Sequence, residues 1–164
     1  MKARAAIAAD AASIAAIYNQ GIEERTATFE TRLRTVEDVQ AWFGGRHPIV
    51  VVEDNAKVVA FAATSAYRPR QCYAGIAEVS VYVDRRHRRR GAGRLALEEL
   101  LRTAERAGFW KLVSRVFPEN EASRALIRSL GFREVGIYQK HARLEGVWRD
   151  VVIVERLIGS NLSV

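Results

Sequence analysis

Residues 88–93, with the sequence Arg-Arg-Arg-Gly-Ala-Gly, carry the clearest chemical signal in this chain. They follow an alternating segment, 77–83, that predicts a strand, and they open a segment with helical periodicity, 94–107. A glycine-rich turn at the start of a helix leaves several main-chain N–H groups without partners, and the helix dipole makes that end positive. With the flanking arginines, this arrangement predicts a site for a phosphate-bearing ligand.

The spacing of the two glycines excludes two common phosphate-binding motifs. The turn has no Gly-Lys-Ser/Thr, as nucleotide hydrolases do, and it is one glycine short of a dinucleotide-binding fingerprint. A solvated basic loop or non-specific attraction to nucleic acid is the alternative interpretation, because six arginines lie within ten residues: Arg85, Arg86, Arg88, Arg89, Arg90 and Arg94. A plain basic patch does not need Gly91 and Gly93 at a helix start, so the phosphate site is favoured.

Composition predicts one soluble domain with a hydrophobic core, because the 164 residues are 49% hydrophobic and 27% charged, with a net charge of +7. No apolar run approaches the roughly 20 residues that span a bilayer. Asp10 interrupts the apolar N-terminal stretch, so no signal peptide is predicted. Cys72, the only cysteine, permits no internal disulfide, which is typical of a cytoplasmic protein. His47, His87 and His141 lack metal-ligand spacing, so no metal is predicted.

Hydrophobic periodicity predicts the element order β-α-α-β-β-β-α-β-α-β-β around one mixed sheet. Asp10 is expected to cap the first helix, and Thr35 to open a second, short helix with a capping box. Segments 49–53 and 58–67 predict a hairpin. Asn120 is expected to cap the last helix.

The Arg-x-x-Gly-x-Gly turn resembles the coenzyme A pyrophosphate loop of the GCN5-related N-acetyltransferases. In that case the pyrophosphate would be held by Arg88, Arg89, Arg90, Gly91, Ala92, Gly93 and Arg94. The strand before the turn would offer free main-chain groups to the pantetheine arm at Val81, Tyr82 and Val83, provided that it splays from its neighbour. Asn120 and Ser123 are placed to hydrogen-bond the arm across this gap, although a plain capping role explains Asn120 equally well.

Glu78 is the candidate general base. An extended strand from Glu78 to Val83 rises roughly 17 Å, which is comparable to a stretched pantetheine arm, so the acyl group would end near Glu78. An amine nucleophile arrives as an ammonium ion, and a carboxylate can take its proton directly or through a water molecule. Taken by itself, Glu78 would be a surface glutamate on a polar strand face; its distance from the phosphate turn favours the catalytic role.

Three further side chains are candidates for contact with the acceptor. Arg68 and Arg70 flank a stiff proline, where two guanidinium groups can grip a carboxylate or phosphinate; a plain polar loop is the alternative. Phe29 either walls a substrate pocket or caps the core. Cys72 is disfavoured as a nucleophile, because no histidine lies close to it in sequence.

Pieces along nearly the whole chain resemble, in order, the phosphinothricin N-acetyltransferase branch of that superfamily, with its relatives acting on methionine sulfoximine and arsinothricin. They are Ala16-Ile17-Tyr18-Asn19, Thr26-Ala27-Thr28-Phe29-Glu30-Thr31, Tyr67-Arg68-Pro69-Arg70, Glu78-x-Ser80-Val81-Tyr82-Val83, Gly131-Phe132 and Trp148-Arg149-Asp150-Val151.

This resemblance implies a single domain over residues 1–164 of the α/β (α+β) class. Its sheet is mixed and mostly antiparallel, with about seven strands, a splay between the fourth and fifth strands, and four flanking helices. The resemblance implies direct transfer of acetyl from acetyl-CoA to the α-amino group of a glutamate-like amino acid. Glu78 would be the base, and Arg68 and Ser80 would touch the substrate. It further implies a homodimer. The single cysteine, the lack of a long apolar run and the lack of a recognised nucleic-acid-binding motif predict a cytoplasmic protein with neither nucleic acid nor membrane as a partner.

Two positions depart from the family pattern. Many members carry a tyrosine or histidine four residues before the Gly-Phe pair, as an acid for the leaving thiolate, but this chain has Ile127, which leaves solvent or Tyr138 for that role. The stretch 74–77, Ala-Gly-Ile-Ala, is smaller and more apolar than in many relatives. The acceptor therefore stays open, with a polyamine, an ordinary amino acid or a peptide N-terminus as alternatives. A basic nucleic-acid-binding module is the non-enzymatic alternative.

Overall fold

The computed structural model describes residues 1–163. The strands are β1 Lys2–Ala5, β2 Ile49–Asp54, β3 Lys57–Ala66, β4 Ile76–Val83, β5 Lys111–Val116, β6 Arg133–Leu144 and β7 Val147–Leu157. The α-helices are α1 Ala11–Glu24, α2 Val36–Gln40, α3 Ala92–Arg106 and α4 Glu121–Ser129. No helix within these 163 residues is long and apolar enough to cross a membrane.

All seven strands form one sheet in the order β1-β2-β3-β4-β5-β7-β6. Every neighbouring pair is antiparallel except β4 and β5, which are parallel and pair at three positions only, from Ile76 opposite Lys111 to Glu78 opposite Val113. Beyond this point the two strands no longer pair with each other, although β4 stays paired with β3 and β5 with β7. The mixed, mostly antiparallel sheet with a splay between its fourth and fifth strands is therefore confirmed.

Helices cover both faces of the sheet. Leu97 of α3 is buried with Val50 and Val52 on one face, whereas Ile14 of α1 is buried with Val51 on the other. Successive side chains of a strand alternate between faces, so β2 contributes to both layers of the core. The gap between β4 and β5 therefore has α3 and α4 on one side, and α1 and the loop that follows it on the other.

The short cap motifs are confirmed for two helices and wrong for a third. Thr35 Oγ1 accepts from the N–H of Asp38 (3.1 Å), and the Asp38 carboxylate accepts from the N–H of Thr35 (2.8 Å). Asn120 Oδ1 accepts from the N–H of Ser123 (3.3 Å). Asp10 occupies the N-cap position of α1 but makes no side-chain cap bond there, because its carboxylate binds the Arg4 guanidinium (2.8 Å), which lowers the pKa of Asp10.

Candidate active site

A cavity of about 530 Å³ lies at the gap between β4 and β5. Its walls come from both sides of the sheet: from β4, the turn before α3, β5 and α4, and from the end of α1 with the loop after it. A cavity lined from both sides of the sheet suits a reaction that brings two substrates together. The glycine turn before α3 lines the cavity, and so does the charged side chain of Arg115 on β5.

The glycine turn builds an anion site from main-chain atoms. Gly91 is the N-cap of α3 and has φ +86°, a left-handed conformation that favours glycine. A Cβ at Gly93 would lie 3.3 Å from a methyl group of Val83, so this position keeps the helix end close to β4. The first helical hydrogen bond joins the Leu95 N–H to Gly91 O (3.1 Å). The N–H groups of residues 92–94 therefore have no partner within the helix, as an anion site requires.

Most arginines around this turn already have carboxylate partners. Arg88 makes a bidentate contact with Glu24 (2.8 Å to each oxygen), which lowers the pKa of that carboxyl group. Other ion pairs join Arg85 to Glu23, Arg86 to Asp84 and Arg94 to Glu98. The turn is therefore less electropositive than its arginine count indicates.

Two of the arginines expected to hold the pyrophosphate do not fit a side-chain role. The Arg88 guanidinium is held by Glu24, although Arg88 borders the cavity. Arg90 does not line the cavity. Arg89 lines it and makes no ion pair within residues 1–163. Main-chain N–H groups and Arg89 are thus the free donors of this site.

The main chain of β4 alternates between its two neighbours. Val79 O accepts from Ser114 Oγ on β5 (2.8 Å), whereas the N–H of Asp84, directly after β4, donates to Val59 O on β3 (2.8 Å). Main-chain groups of every second residue in a strand point to the same side. Odd-numbered residues of β4 therefore direct their N–H and C=O groups toward β5, and even-numbered residues direct theirs toward β3.

This alternation separates the three residues expected to bind pantetheine. Val81 and Val83 lie beyond the last β4–β5 pair, so their main-chain groups face the gap. Tyr82 is opposite Phe61 on β3, and its main chain is used there. The expectation of free main-chain groups at Tyr82 is wrong, because it did not take account of this parity.

Tyr82 nevertheless lines the cavity, and its side chain is packed among other aromatic rings. The ring stacks on Phe61 (5.5 Å between centroids) and meets Tyr18 edge-on (5.0 Å), and burial raises the pKa of its hydroxyl group. A Cβ at Gly21 would lie 2.6 Å from the ring. Gly21 therefore allows α1 to approach the strand that borders the cavity.

Helix α4 lines one side of the cavity with residues that were expected to contact the pantetheine arm. Asn120 and Ser123 both line the cavity while keeping their cap contact, so the two roles proposed for Asn120 are compatible. Ile127 is buried in the same wall and has no proton to give. Tyr138, the suggested replacement, is half-exposed on β6 with its ring against His141 (4.9 Å), and it does not line the cavity.

Glu78 stands where the β4–β5 pairing ends. Its Oε2 lies 3.1 Å from Nη2 of Arg115, and its side chain is 28% exposed. Arg115 lines the cavity; Glu78 does not, but it contacts this wall through Arg115. Arg115 is not among the residues predicted from the sequence. The available signal was a charged residue between Ser114 and Val116 in the strand Lys111–Val116.

The four residues expected to touch the acceptor are not all at the cavity. Ser80 lines it, whereas Phe29, Arg68 and Arg70 do not. Phe29 packs edge-on against Phe117 (4.9 Å) in a small apolar cluster, which favours the core-capping alternative. Arg68 is exposed and lies over the Tyr67 ring (5.1 Å), and Arg70 is exposed.

The small residues at 74–77 have a packing explanation. A Cβ at Gly75 would overlap ring atoms of Trp110, and the main-chain N–H of Trp110 donates to Gly75 O (2.9 Å). The bare glycine therefore lets the start of β4 lie against the residue before β5. Among residues 1–163, no three His, Cys, Asp or Glu side chains form a group able to hold a metal ion.

Comparison with known proteins gives one family. Residues 14–132 match the model of the acetyltransferase (GNAT) family. The chain is 31% identical over 157 residues to the phosphinothricin N-acetyltransferase of Streptomyces viridochromogenes, covering 93% of this chain and 85% of the relative. It is 32% identical over 152 residues to the L-methionine sulfoximine/L-methionine sulfone acetyltransferase of Pseudomonas paraeruginosa, covering 90% and 88%.

The fold of this chain is also similar to a solved structure of a phosphinothricin acetyltransferase. The phosphinothricin acetyltransferase of Sinorhizobium meliloti, in complex with AcCoA, superimposes with a TM-score of 0.91 at 28% identity, covering 99% of this chain and 91% of that one.

Proposed function

The chain belongs to the acetyltransferase (GNAT) family, and from this premise we propose that it acetylates the α-amino group of a glutamate analogue with acetyl-CoA. Acceptors of this class are phosphinothricin, methionine sulfoximine and arsinothricin, so the reaction is a detoxification. One observation carries the proposal: the N-terminal end of α3, with its free main-chain N–H groups, lines the same cavity as Arg115. Arg115 in turn contacts Glu78. The names of the relatives support this acceptor class.

Acetyl-CoA fits the residues present. The N–H groups of residues 92–94 and Arg89 would hold the pyrophosphate, and a Cβ at Gly91 would meet nothing within 4 Å, which leaves room above the turn. The free main-chain groups of Val81 and Val83 would hold the pantetheine arm. Asn120 and Ser123 would contact it from α4.

Glu78 then acts on the acceptor. Its carboxylate takes a proton from the α-ammonium group, directly or through water, and the amine nitrogen attacks the thioester carbonyl. The C–N bond forms, the nitrogen loses its second proton to water, the C–S bond breaks, and coenzyme A leaves as a thiolate. Because the Ile127 side chain has no acidic proton, we expect water to protonate the thiolate. Acetylation removes the positive charge of the acceptor, so the product no longer resembles glutamate.

An acceptor panel tests this function. Phosphinothricin, methionine sulfoximine, arsinothricin, glutamate, spermidine and a short peptide would each be incubated with acetyl-CoA, and thiol release would be measured. We expect the three glutamate analogues to give the highest kcat/KM. Release with spermidine or the peptide alone would contradict the proposal. Stabilisation by duplex DNA but not by acetyl-CoA, in a thermal-shift assay, would favour the basic nucleic-acid-binding module instead.

We also propose that the enzyme is a cytoplasmic homodimer, since acetyl-CoA is available in that compartment, with neither nucleic acid nor membrane as a partner. Strand β6 is an edge strand, and large apolar side chains are 47–60% exposed on it and on β7. They are Val135, Ile137, Tyr138, Val147, Trp148 and Leu157. A second copy of the chain would cover this surface.

Light scattering tests the dimer. We expect twice the 18.4 kDa chain mass, and Ile137→Glu should shift it to the monomer because a charge would be buried at the interface. Leu33→Glu, at an apolar residue with similar exposure outside this surface, is the control and should stay dimeric. A wild-type monomer at micromolar concentration would refute the proposal.

A further inference from the structure

Arg115 is the charged residue on the cavity wall nearest to the candidate base. It lies on β5 at a point where that strand is no longer paired with β4, and half of its side chain (52%) is exposed. Nη2 of its guanidinium lies 3.1 Å from Oε2 of Glu78. Arg115 therefore belongs both to the wall of the cavity and to the immediate surroundings of the base.

Most of the Arg115 donors are free. A guanidinium carries five N–H groups in a fixed fork, and one of them is used by Glu78. Within residues 1–163, no other acceptor binds the Arg115 side chain. The nearby arginines differ in this respect, since Arg88 is bidentate to Glu24, and Arg149 contacts Glu119 (3.4 Å) and stacks on Phe117.

This pairing matches the chemistry of an α-amino acid. The α-amino and α-carboxylate groups are attached to the same carbon, so a base for the amine and a partner for the carboxylate must be neighbours. Glu78 and Arg115 are neighbours. Resting on the proposed function, we propose that Arg115 binds the α-carboxylate of the acceptor with its free N–H groups while Glu78 takes the proton from the amine.

Arg115 then determines which amines are accepted. A guanidinium holds a carboxylate in a bidentate, oriented contact, and an acceptor without this carboxylate leaves the donors unsatisfied. The reaction favours α-amino acids over amines, and the choice among amino acids falls to residues that contact their side chains. A purely structural ion pair with Glu78 would not discriminate in this way.

The test compares phosphinothricin with its α-carboxamide, which lacks the negative charge but keeps the amine. In the wild type we expect kcat/KM to favour the acid. Arg115→Gln should lower kcat/KM for the acid about 10- to 100-fold, mainly through KM, as expected for loss of a charged hydrogen bond. The same variant should change kcat/KM for the carboxamide less than about threefold, because the carboxamide has no negative charge for Arg115 to bind. Arg115→Lys should have a KM for the acid between that of the wild type and that of Arg115→Gln.

Controls separate this inference from folding and from the proposed function. Arg102→Gln, on the exposed side of α3, should leave kcat/KM for both acceptors unchanged. Arg115→Gln should keep the wild-type affinity for acetyl-CoA. Equal losses for acid and carboxamide, through kcat, would show that Arg115 only positions Glu78 and would overturn the inference, while the proposed function stands. If the wild type acetylates only amines without an α-carboxylate, both are wrong.

Discussion

Replacement of Glu78 by glutamine is expected to lower kcat by on the order of 10²-fold or more, while the affinity for acetyl-CoA stays at the wild-type level. Glutamine keeps the size of the side chain and an oxygen that can accept from Arg115, but an amide cannot take a proton from the ammonium group. The coenzyme is held elsewhere, by the turn before α3 and by the gap side of β4. Steady-state kinetics and calorimetry with acetyl-CoA measure the two effects separately.

The pH dependence sharpens this expectation. The α-ammonium group of a free amino acid loses its proton at alkaline pH, so the fraction of acceptor that needs no base rises with pH. The deficit of Glu78→Gln relative to the wild type should therefore shrink between pH 7 and pH 9. Glu37→Gln, at an exposed glutamate of α2, is the matched control and should be fully active. Wild-type turnover by Glu78→Gln at neutral pH would remove Glu78 from the mechanism.

The strand, turn and helix around Gly91 were predictable because their signals are local. Alternation ends at Val83, the glycines follow, and helical periodicity begins, all within one continuous stretch. The splay came from the family resemblance, and the structure confirms it at Glu78 and Val113. The strand before the turn begins at Ile76 and the helix after it at Ala92, one and two residues earlier than predicted.

The remaining features depend on contacts between distant residues, which a single sequence does not encode locally. Arg88 contacts Glu24, 64 positions away, and because this carboxylate neutralises its charge, the number of arginines overstates the positive charge of the turn. Arg115 meets Glu78, 37 positions away, only because β4 and β5 pair in a particular register. The orientation of the Tyr82 main chain depends on which edge of β4 faces β3. Residue types alone gave no access to these three facts.

Gly75→Ala is expected to have the second large effect, on both stability and turnover. The added methyl group would overlap the ring of Trp110, so either the ring or the start of β4 must move. Overpacking of this kind costs typically about 1–3 kcal/mol of unfolding free energy. Glu78 lies three residues further along the chain, on β4, and a displacement of about 1 Å at a catalytic group can lower kcat about 10²-fold. Urea denaturation and steady-state kinetics give the two quantities.

The steric origin of this effect can be isolated with a double-mutant cycle. Gly45→Ala is the matched control, because a Cβ there meets nothing within 4 Å and the backbone is not left-handed; it should leave stability nearly unchanged. Trp110→Ala removes the ring, and in that background Gly75→Ala should cost far less than in the wild type. An equal cost in both backgrounds would mean that Gly75 serves the backbone conformation rather than contact with the indole. The placement of Glu78 would then depend on the chain between them and not on Trp110.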